Sequence, residues 1–174
     1  MKILIKALIF TSMLFFSNFL YAETNVVYLD MNVIYNKTKV GKLIFTELDK
    51  IQKNNISNFK KSEESLKKEE QKIFSQKNIL SEEEYEKKVL SFTKKVEKYK
   101  SNRNKSINEL KKKRVKSIND LSMSVNKILA EYAEEKKISF IIPKKNIIIG
   151  KLELDITNDI LMIVDKKIKK ININ

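Results

Sequence analysis

The sequence predicts an α+β protein in which a long antiparallel α-helical coiled-coil hairpin is attached to a small β-rich body. The first observation is that Gly41, Gly150 and Pro143 are the only helix-breaking residues, so none interrupts residues 42–142. This interval is rich in Lys, Glu, Leu and Ile, which favour helix. The second observation is that short β-branched and aromatic stretches, typical of strands, lie on both sides of it.

The N-terminal segment, residues 1–22, has the order of parts of a secretory signal peptide. Lys2 and Lys6 provide the positive start, an apolar stretch covers residues 7–16, and Ala22 is a small residue suited to cleavage. An uncleaved membrane anchor is the alternative, but it needs about 20 consecutive apolar residues, and the run here is shorter. We therefore expect export to the periplasm, cleavage after Ala22, and a mature chain that begins at Glu23.

The first half of the long interval carries one apolar residue per seven, which places a single stripe along a helix. The members of this stripe are Phe45, Phe59, Leu66, Ile73 and Leu80, with Gln52 as a polar exception. Ser81 and Glu84 then form a capping-box pattern, which predicts that a new helix begins there.

The second half, residues 81–136, shows alternating spacings of four and three between apolar residues, which indicates an amphipathic helix. Its members are Tyr85, Val89, Phe92, Val96, Tyr99, Ile107, Leu110, Ile118, Leu121, Val125, Ile128 and Tyr132. One unbroken helix is the alternative, but it would be about 140 Å long and would leave its stripe uncovered. The two stripes therefore predict a hairpin.

The two ends of the mature chain predict the strand-rich body. Residues 25–29 indicate a strand and residues 31–36 a short helix. Residues 138–142 and 147–149, on either side of a turn at 143–146, indicate a β-hairpin. A last helix follows Asp155, with an apolar face formed by Ile156, Ile160, Val164 and Ile168.

These patterns predict three regions of the chain. They are a signal peptide at 1–22, a β-rich oligomerisation body at 23–42 plus 133–174, and a helical arm at 43–132 with its tip near 78–82. A body this small has exposed strand edges and a marginal core. We therefore expect copies of the chain to associate, although the sequence pattern alone leaves their number open.

The composition narrows the function classes. The chain has no Cys and no His, so disulfides and the usual thiolate or imidazole metal ligands are excluded. No catalytic constellation of the remaining residue types is evident, so we predict no enzyme activity, no metal and no cofactor. The formal net charge is +14. A basic coiled coil in the cytosol would suggest nucleic acid, but the predicted export argues against that partner.

The basic charge is concentrated in residues 87–116, which contain thirteen basic residues and only two acids, Glu97 and Glu109. One interpretation is a solvated face that keeps the arm soluble. The other is a surface that attracts acidic, unfolded polypeptides over about one Debye length, roughly 8 Å.

Aromatic residues and lysines of the arm are the candidate client-binding residues, and most of the aromatics could instead pack in the hairpin seam. Phe74 is the best candidate, because it follows Ile73 and cannot share its stripe fully. The candidates are Phe59, Phe74, Tyr85, Phe92, Lys87, Lys88, Lys94, Lys95 and Lys98.

The order of parts resembles the Skp/OmpH family of periplasmic chaperones over essentially the whole chain. The matching stretches are residues 26–30, 33–35, 38–42, 80–84, 138–142, 146–149 and 155–157. The resemblance implies a homotrimer in which a β-rich trimerisation body carries three helical hairpins around a cavity. It also implies an ATP-independent holdase for unfolded outer-membrane proteins, with lipopolysaccharide or an anionic membrane surface as a further candidate partner. A departure is the low arginine content, with only Arg103 and Arg114.

A structural or adaptor coiled-coil protein of the cell envelope is the alternative to the holdase. It explains the hairpin and the export signal equally well, but it predicts one dedicated partner.

Overall fold

A computed structural model describes residues 24–173, so the predicted signal peptide lies outside the described residues. Within these described residues two strands and four helices follow one another, and two short 3-10 turns precede the last helix. They are β1 (Val26–Leu29), α1 (Met31–Lys37), α2 (Lys39–Ser75), α3 (Glu82–Glu135), β2 (Phe140–Pro143) and α4 (Thr157–Lys167). The predicted fold class, a helical hairpin with a small β region, is confirmed.

Helices α2 and α3 form the arm of the molecule. They contain 37 and 54 residues, which correspond to about 55 Å and 80 Å at 1.5 Å per residue. Glu69 of α2 pairs with Lys95 of α3, and Glu63 pairs with Arg103. Because the α2 numbers fall as the α3 numbers rise, the two helices are antiparallel. None of the helices within residues 24–173 has an apolar stretch long enough to cross a membrane.

The tip of the arm is a six-residue turn between Ser75 and Glu82. Ser81 caps α3: its Oγ accepts a hydrogen bond from the Glu84 amide at 3.4 Å, and its amide donates to Glu84 Oε2 at 3.2 Å. This is the predicted capping box. The hydrogen bonds from the Ser81 side chain and backbone lower the pKa of the Glu84 carboxyl. The break between the two helices is therefore encoded locally.

The base of the molecule contains a two-stranded parallel sheet. Val26 pairs with Phe140 and Leu29 with Pro143, so the whole arm is the crossover connection that a parallel pair needs.

The predicted β-hairpin at 138–149 is wrong. Residues 144–146 form a 3-10 turn, and residues 147–149 form no strand. On the edge of β1 that faces away from β2, Asp155 forms an isolated bridge with Tyr28. Lys144 contacts both residues of this bridge: its ammonium lies 2.7 Å from Asp155 Oδ2 and 5.7 Å from the centre of the Tyr28 ring.

The hydrophobic core lies where the foot of the arm meets the base. Leu48 of α2, Val125 of α3 and Ile160 of α4 are fully buried, and they belong to one cluster. The complete buried cluster is Val27, Leu29, Ile34, Val40, Ile44, Leu48, Leu121, Val125, Ile128, Ile156, Ile160 and Val164. The core therefore secures the arm at one end only.

The start of α2 is fixed by close contacts with its neighbours. Thr38 caps the helix by accepting a hydrogen bond from the Gly41 amide at 3.2 Å, and the Lys39 amide donates to Asp165 Oδ1 at 2.7 Å. A Cβ at position 41 would lie 1.9 Å from the Tyr35 carbonyl oxygen. Gly41 is therefore required because α2 begins directly against the end of α1.

Candidate binding surface on the helical arm

The arm is thinly packed along its middle. On α2 no side chain between Leu48 and Ile73 is buried, and on α3 none is buried before Ser117. The residues that face across the seam, such as Phe59 and Leu66, are only half-buried. This agrees with a sequence that supplies one apolar residue per heptad in α2.

A polar cluster joins the two helices near the middle of the arm. The Tyr99 hydroxyl donates a hydrogen bond to Glu63 Oε1, and the Arg103 Nη1 group donates to the same oxygen at 3.2 Å. The Phe59 and Tyr99 rings meet edge to face at 6.3 Å, and the Arg103 guanidinium lies 6.0 Å from the Phe59 centroid. Hydrogen bonding to Glu63 raises the pKa of Tyr99.

The predicted aromatic candidates fall into two groups. Phe59, Tyr85 and Phe92 are half-buried, so each keeps part of its ring accessible. Phe74 differs, because 74% of it is exposed. The structure therefore places Phe74 outside the seam and the other three along it.

The predicted lysines also divide. Lys87 pairs with Glu83 at 2.6 Å, Lys95 pairs with Glu69 at 2.6 Å, and Lys88 donates to Gln76 Oε1 at 2.7 Å. Lys94 and Lys98 are exposed, and no carboxylate within residues 24–173 lies within 4.0 Å of either ammonium. Lys94 and Lys98 thus keep the most available charge of the five.

Two exposed apolar side chains near the tip lie outside the predicted stripes, and Val89, a predicted stripe residue, is also 38% exposed. Ile79 in the turn is 81% exposed, and Leu90 on α3 is 58% exposed. Leu90 follows Val89 just as Phe74 follows Ile73, so the same off-stripe signal could have identified it. We refer to Phe74, Ile79 and Leu90 as the tip surface, because each is exposed and they lie in the turn or near it on α2 and α3.

A groove with a volume of ≈ 330 Å³ lies between α2 and α3 on the base side of the polar cluster. Ile56 and Phe59 line it from α2, and Ile107 lines it from α3. Both arginines of the chain, Arg103 and Arg114, also line this groove. It therefore combines an apolar floor with two guanidinium groups.

Within residues 24–173 no group of three or more carboxylates is arranged to hold a metal ion. The arm offers apolar and cationic side chains along an extended surface, and such a surface is suited to binding other molecules.

The fold and the surface define a class of protein in which a two-helix arm rises from a small α/β base. The family model described as outer membrane protein (OmpH-like) matches residues 25–163, and the chain belongs to this family. The resemblance to the OmpH family noted from the sequence is thereby confirmed. None of the curated proteins matches the chain.

A solved structure has the same fold. It is the crystal structure of a protein from Caulobacter crescentus CB15 that is assigned as an outer membrane chaperone (OmpH-like). The two chains share 15% sequence identity with a TM-score of 0.80, and the match covers 86% of this chain and 88% of the other. At this identity the likeness establishes the fold alone.

Proposed function

We propose that this protein is a periplasmic, ATP-independent holdase that binds unfolded outer-membrane proteins and prevents their aggregation on the way to the outer membrane. The observation that carries the proposal is the tip surface, where three apolar side chains are exposed at the end of the arm remote from the core. Exposed apolar side chains that form a contiguous patch mark sites of interaction with other polypeptides.

The energetics of this surface suit reversible holding. Burying apolar area contributes about 25 cal/mol per Å², so each side chain of the tip surface adds at most about 1.5–3 kcal/mol to the free energy of binding. The lysines act over roughly 8 Å at physiological ionic strength and attract acidic stretches of a client. Many weak contacts bind varied sequences and release them without ATP.

We assign client binding to Phe59, Phe74, Tyr85, Phe92, Lys87, Lys88, Lys94, Lys95 and Lys98. The exposure of Phe74 supports this assignment most directly, as do the charges of Lys94 and Lys98, for which residues 24–173 provide no ion-pair partner. Ile79 and Leu90 join the set because they lie on the same tip surface.

We further propose that residues 23–42 and 133–174 form a trimerisation body from which residues 43–132 project as the arm. Ile148 and Ile149 of the base are 98% and 93% exposed. Such side chains support contact with other copies of the chain, because exposed apolar patches and open strand edges are normally covered. Light scattering of the mature chain tests this: a mass of three chains agrees with the proposal, and a monomer contradicts it.

Localisation and a lipid partner complete the proposal. The signal peptide at 1–22 would direct the chain to the periplasm, and sequencing the N-terminus of the exported protein tests cleavage after Ala22. The groove that holds Arg103 and Arg114 beside apolar side chains supports binding of lipopolysaccharide or an anionic membrane surface. Binding to anionic vesicles that weakens in Arg114→Gln supports this partner, and equal binding of both proteins contradicts the assignment to the groove.

Aggregation suppression is the test of the holdase. Several outer-membrane proteins are diluted from urea into buffer with and without the mature chain, at low and at high salt. The proposal predicts suppression for all of them, stronger at low salt because screening weakens the lysine attraction. If the mature chain suppresses the aggregation of none of these proteins at low salt, the holdase proposal is contradicted.

A structural or adaptor coiled coil of the envelope is the second candidate. The long, paired arm supports it equally, because such an arm also serves as a spacer. It predicts one dedicated partner and no protection of unrelated unfolded proteins, so the same assay distinguishes the two functions.

A further inference from the structure

The segment that follows α4 lies against the start of α2. Helix α4 ends at Lys167, and Ile168 already has an extended backbone with φ −108 and ψ 106. Ile168, Ile171 and Ile173 pack against the hydrophobic core, whereas the family match ends at residue 163. We call residues 168–173 the tail, and it is an addition to the matched region that rests on the core.

The tail is held by side chains rather than by its backbone. The Ile168 amide donates to the Val164 carbonyl at 2.8 Å, but within the described chain no backbone–backbone hydrogen bond reaches residues 169–173. The Lys169 ammonium donates to the Asp165 carbonyl at 2.8 Å, which belongs to the preceding helix. Within the described chain no backbone–backbone hydrogen bond must therefore break when residues 169–173 detach from α2, and the cost of detachment is the apolar contact of Ile171 and Ile173.

The contact between the tail and α2 is also underfilled. A groove with a volume of ≈ 500 Å³ lies between them, and it is lined from α2 by Val40, Leu43, Ile44 and Glu47 and from the tail by residues 169–173. Leu43 remains 54% exposed although it lines this groove. The tail therefore lies against this face of α2 without packing tightly onto it.

We propose that the α2 side of this groove binds an extended polypeptide segment with apolar side chains at alternate positions, and that the tail covers this binding face in cis. The tail itself shows which kind of ligand fits. It begins with an extended backbone, and its Ile171 and Ile173 alternate with Asn172. Both isoleucines pack against the hydrophobic core. This inference rests on the proposed function, because strands of outer-membrane barrels alternate apolar and polar residues in the same way.

Competition between the tail and a free segment follows from tethering. A ligand tied by a short linker competes at an effective concentration in the millimolar range. The full chain should therefore bind a free segment weakly at this groove, and loss of the tail contacts should raise the apparent affinity. Only segments that bind this face of α2 more tightly than the tethered tail should therefore displace it.

The test uses a fluorescent peptide with the sequence of residues 168–174, Ile-Lys-Lys-Ile-Asn-Ile-Asn. Its anisotropy is titrated with the full mature chain and with the full-length variant Ile171→Ser/Ile173→Ser, which keeps Ile168 in the core. The proposal predicts at least ten-fold tighter binding to the variant, and no binding of a control peptide in which the same two isoleucines are serine. Equal binding to both proteins, or binding of the control peptide, overturns it.

Two further measurements keep the result interpretable. Circular dichroism with thermal unfolding establishes that the variant is folded, and a chain ending at Lys167 gives a second protein in which the tail is absent. A peptide that binds neither protein, while both are folded, overturns the inference. A change of native mass in the variant would assign the tail to a neighbouring copy and overturn occupation in cis.

A displacement assay and the aggregation assay together distinguish failure of the groove assignment from failure of the holdase proposal. A peptide from a transmembrane β-strand of an outer-membrane protein should displace the labelled tail peptide from the variant, and failure to displace it overturns the assignment of the ligand. If displacement occurs but no protein suppresses aggregation, the holdase proposal fails while the groove stands. If suppression occurs without displacement, the holdase stands and the groove assignment fails.

Discussion

The Tyr132 hydroxyl of α3 donates a hydrogen bond to Asp159 Oδ2 of α4, with an O···O distance of 2.9 Å. This bond joins the foot of the arm to the helix that closes the base. Burial of the phenol, followed by its hydrogen bond to Asp159, raises the pKa of Tyr132 to about 12. The contact therefore stabilises the folded chain only while Tyr132 is protonated.

Replacing Tyr132 by Phe should lower the free energy of unfolding by about 1 kcal/mol at neutral pH, because one side-chain hydrogen bond is lost. A group whose pKa is raised on folding contributes fully below its unfolded pKa of about 10 and loses that contribution as the pH rises through the folded value. The advantage of the wild type over Tyr132→Phe should therefore shrink between about pH 10 and pH 12. Urea unfolding at pH 7, 10 and 12 measures it, and a constant difference would show that the phenol does not titrate in this way.

The core at the foot of the arm should carry most of the stability. Leu48→Ala removes a fully buried side chain and should cost about 2–5 kcal/mol, since it deletes apolar contacts and leaves a cavity. Leu90→Ala is the matched control, because Leu90 lies on the exposed tip surface and should change stability by about 0.5 kcal/mol or less. Denaturant unfolding compares the two variants, and equal losses would place the core elsewhere.

Gly41→Ala should be more harmful than a Gly→Ala change inside a helix normally is. The new methyl group would lie 1.9 Å from the Tyr35 carbonyl oxygen and 2.9 Å from Thr38 Oγ1, so the backbone of α1 or α2 must move. Overpacking of this kind costs about 1–3 kcal/mol. Lys42→Ala, at the neighbouring exposed position, serves as the control in thermal unfolding. A Gly41→Ala protein as stable as the wild type would contradict the close contact of α1 with α2.

Glu63→Ala should loosen the middle of the arm without unfolding the base. The substitution removes the acceptor shared by Tyr99 and Arg103. Exposed pairs of this kind contribute about 0.2–1 kcal/mol, so amide hydrogen exchange near residues 59–66 and 96–103 should become a few-fold faster. Glu64→Ala removes an exposed carboxylate next in sequence, for which the described chain shows no ion pair. Faster exchange in both variants alike would show that the shared acceptor is unimportant.

The elements that were predicted from the sequence are those with local signals. The capping box at Ser81 depends on two residues three positions apart, and the buried face of α4 depends on the regular spacing of Ile156, Ile160 and Val164. The hairpin at 138–149 was predicted wrongly because the partner of β2 is β1, which lies more than 100 positions earlier in the chain. Such long-range pairing leaves no mark on the local pattern of residues.

The candidate binding surface, like the fold, could be predicted only where a local signal in the sequence exists. Phe74 could be identified as exposed because it stands beside a stripe residue. The cluster of Glu63, Tyr99 and Arg103 could not be identified, because it depends on the register between α2 and α3. That register is set by packing across the hairpin and not by either helix alone.

Photo-crosslinking is the most direct test of client holding by the arm. A benzoylphenylalanine replaces Phe74 on the tip surface in one protein and the exposed Met162 of α4 in another, and each is irradiated with an unfolded outer-membrane protein. Client holding by the arm predicts crosslinks at position 74, fewer of them at high salt, and little crosslinking at position 162. Crosslinks that form at the base while position 74 remains silent would contradict it.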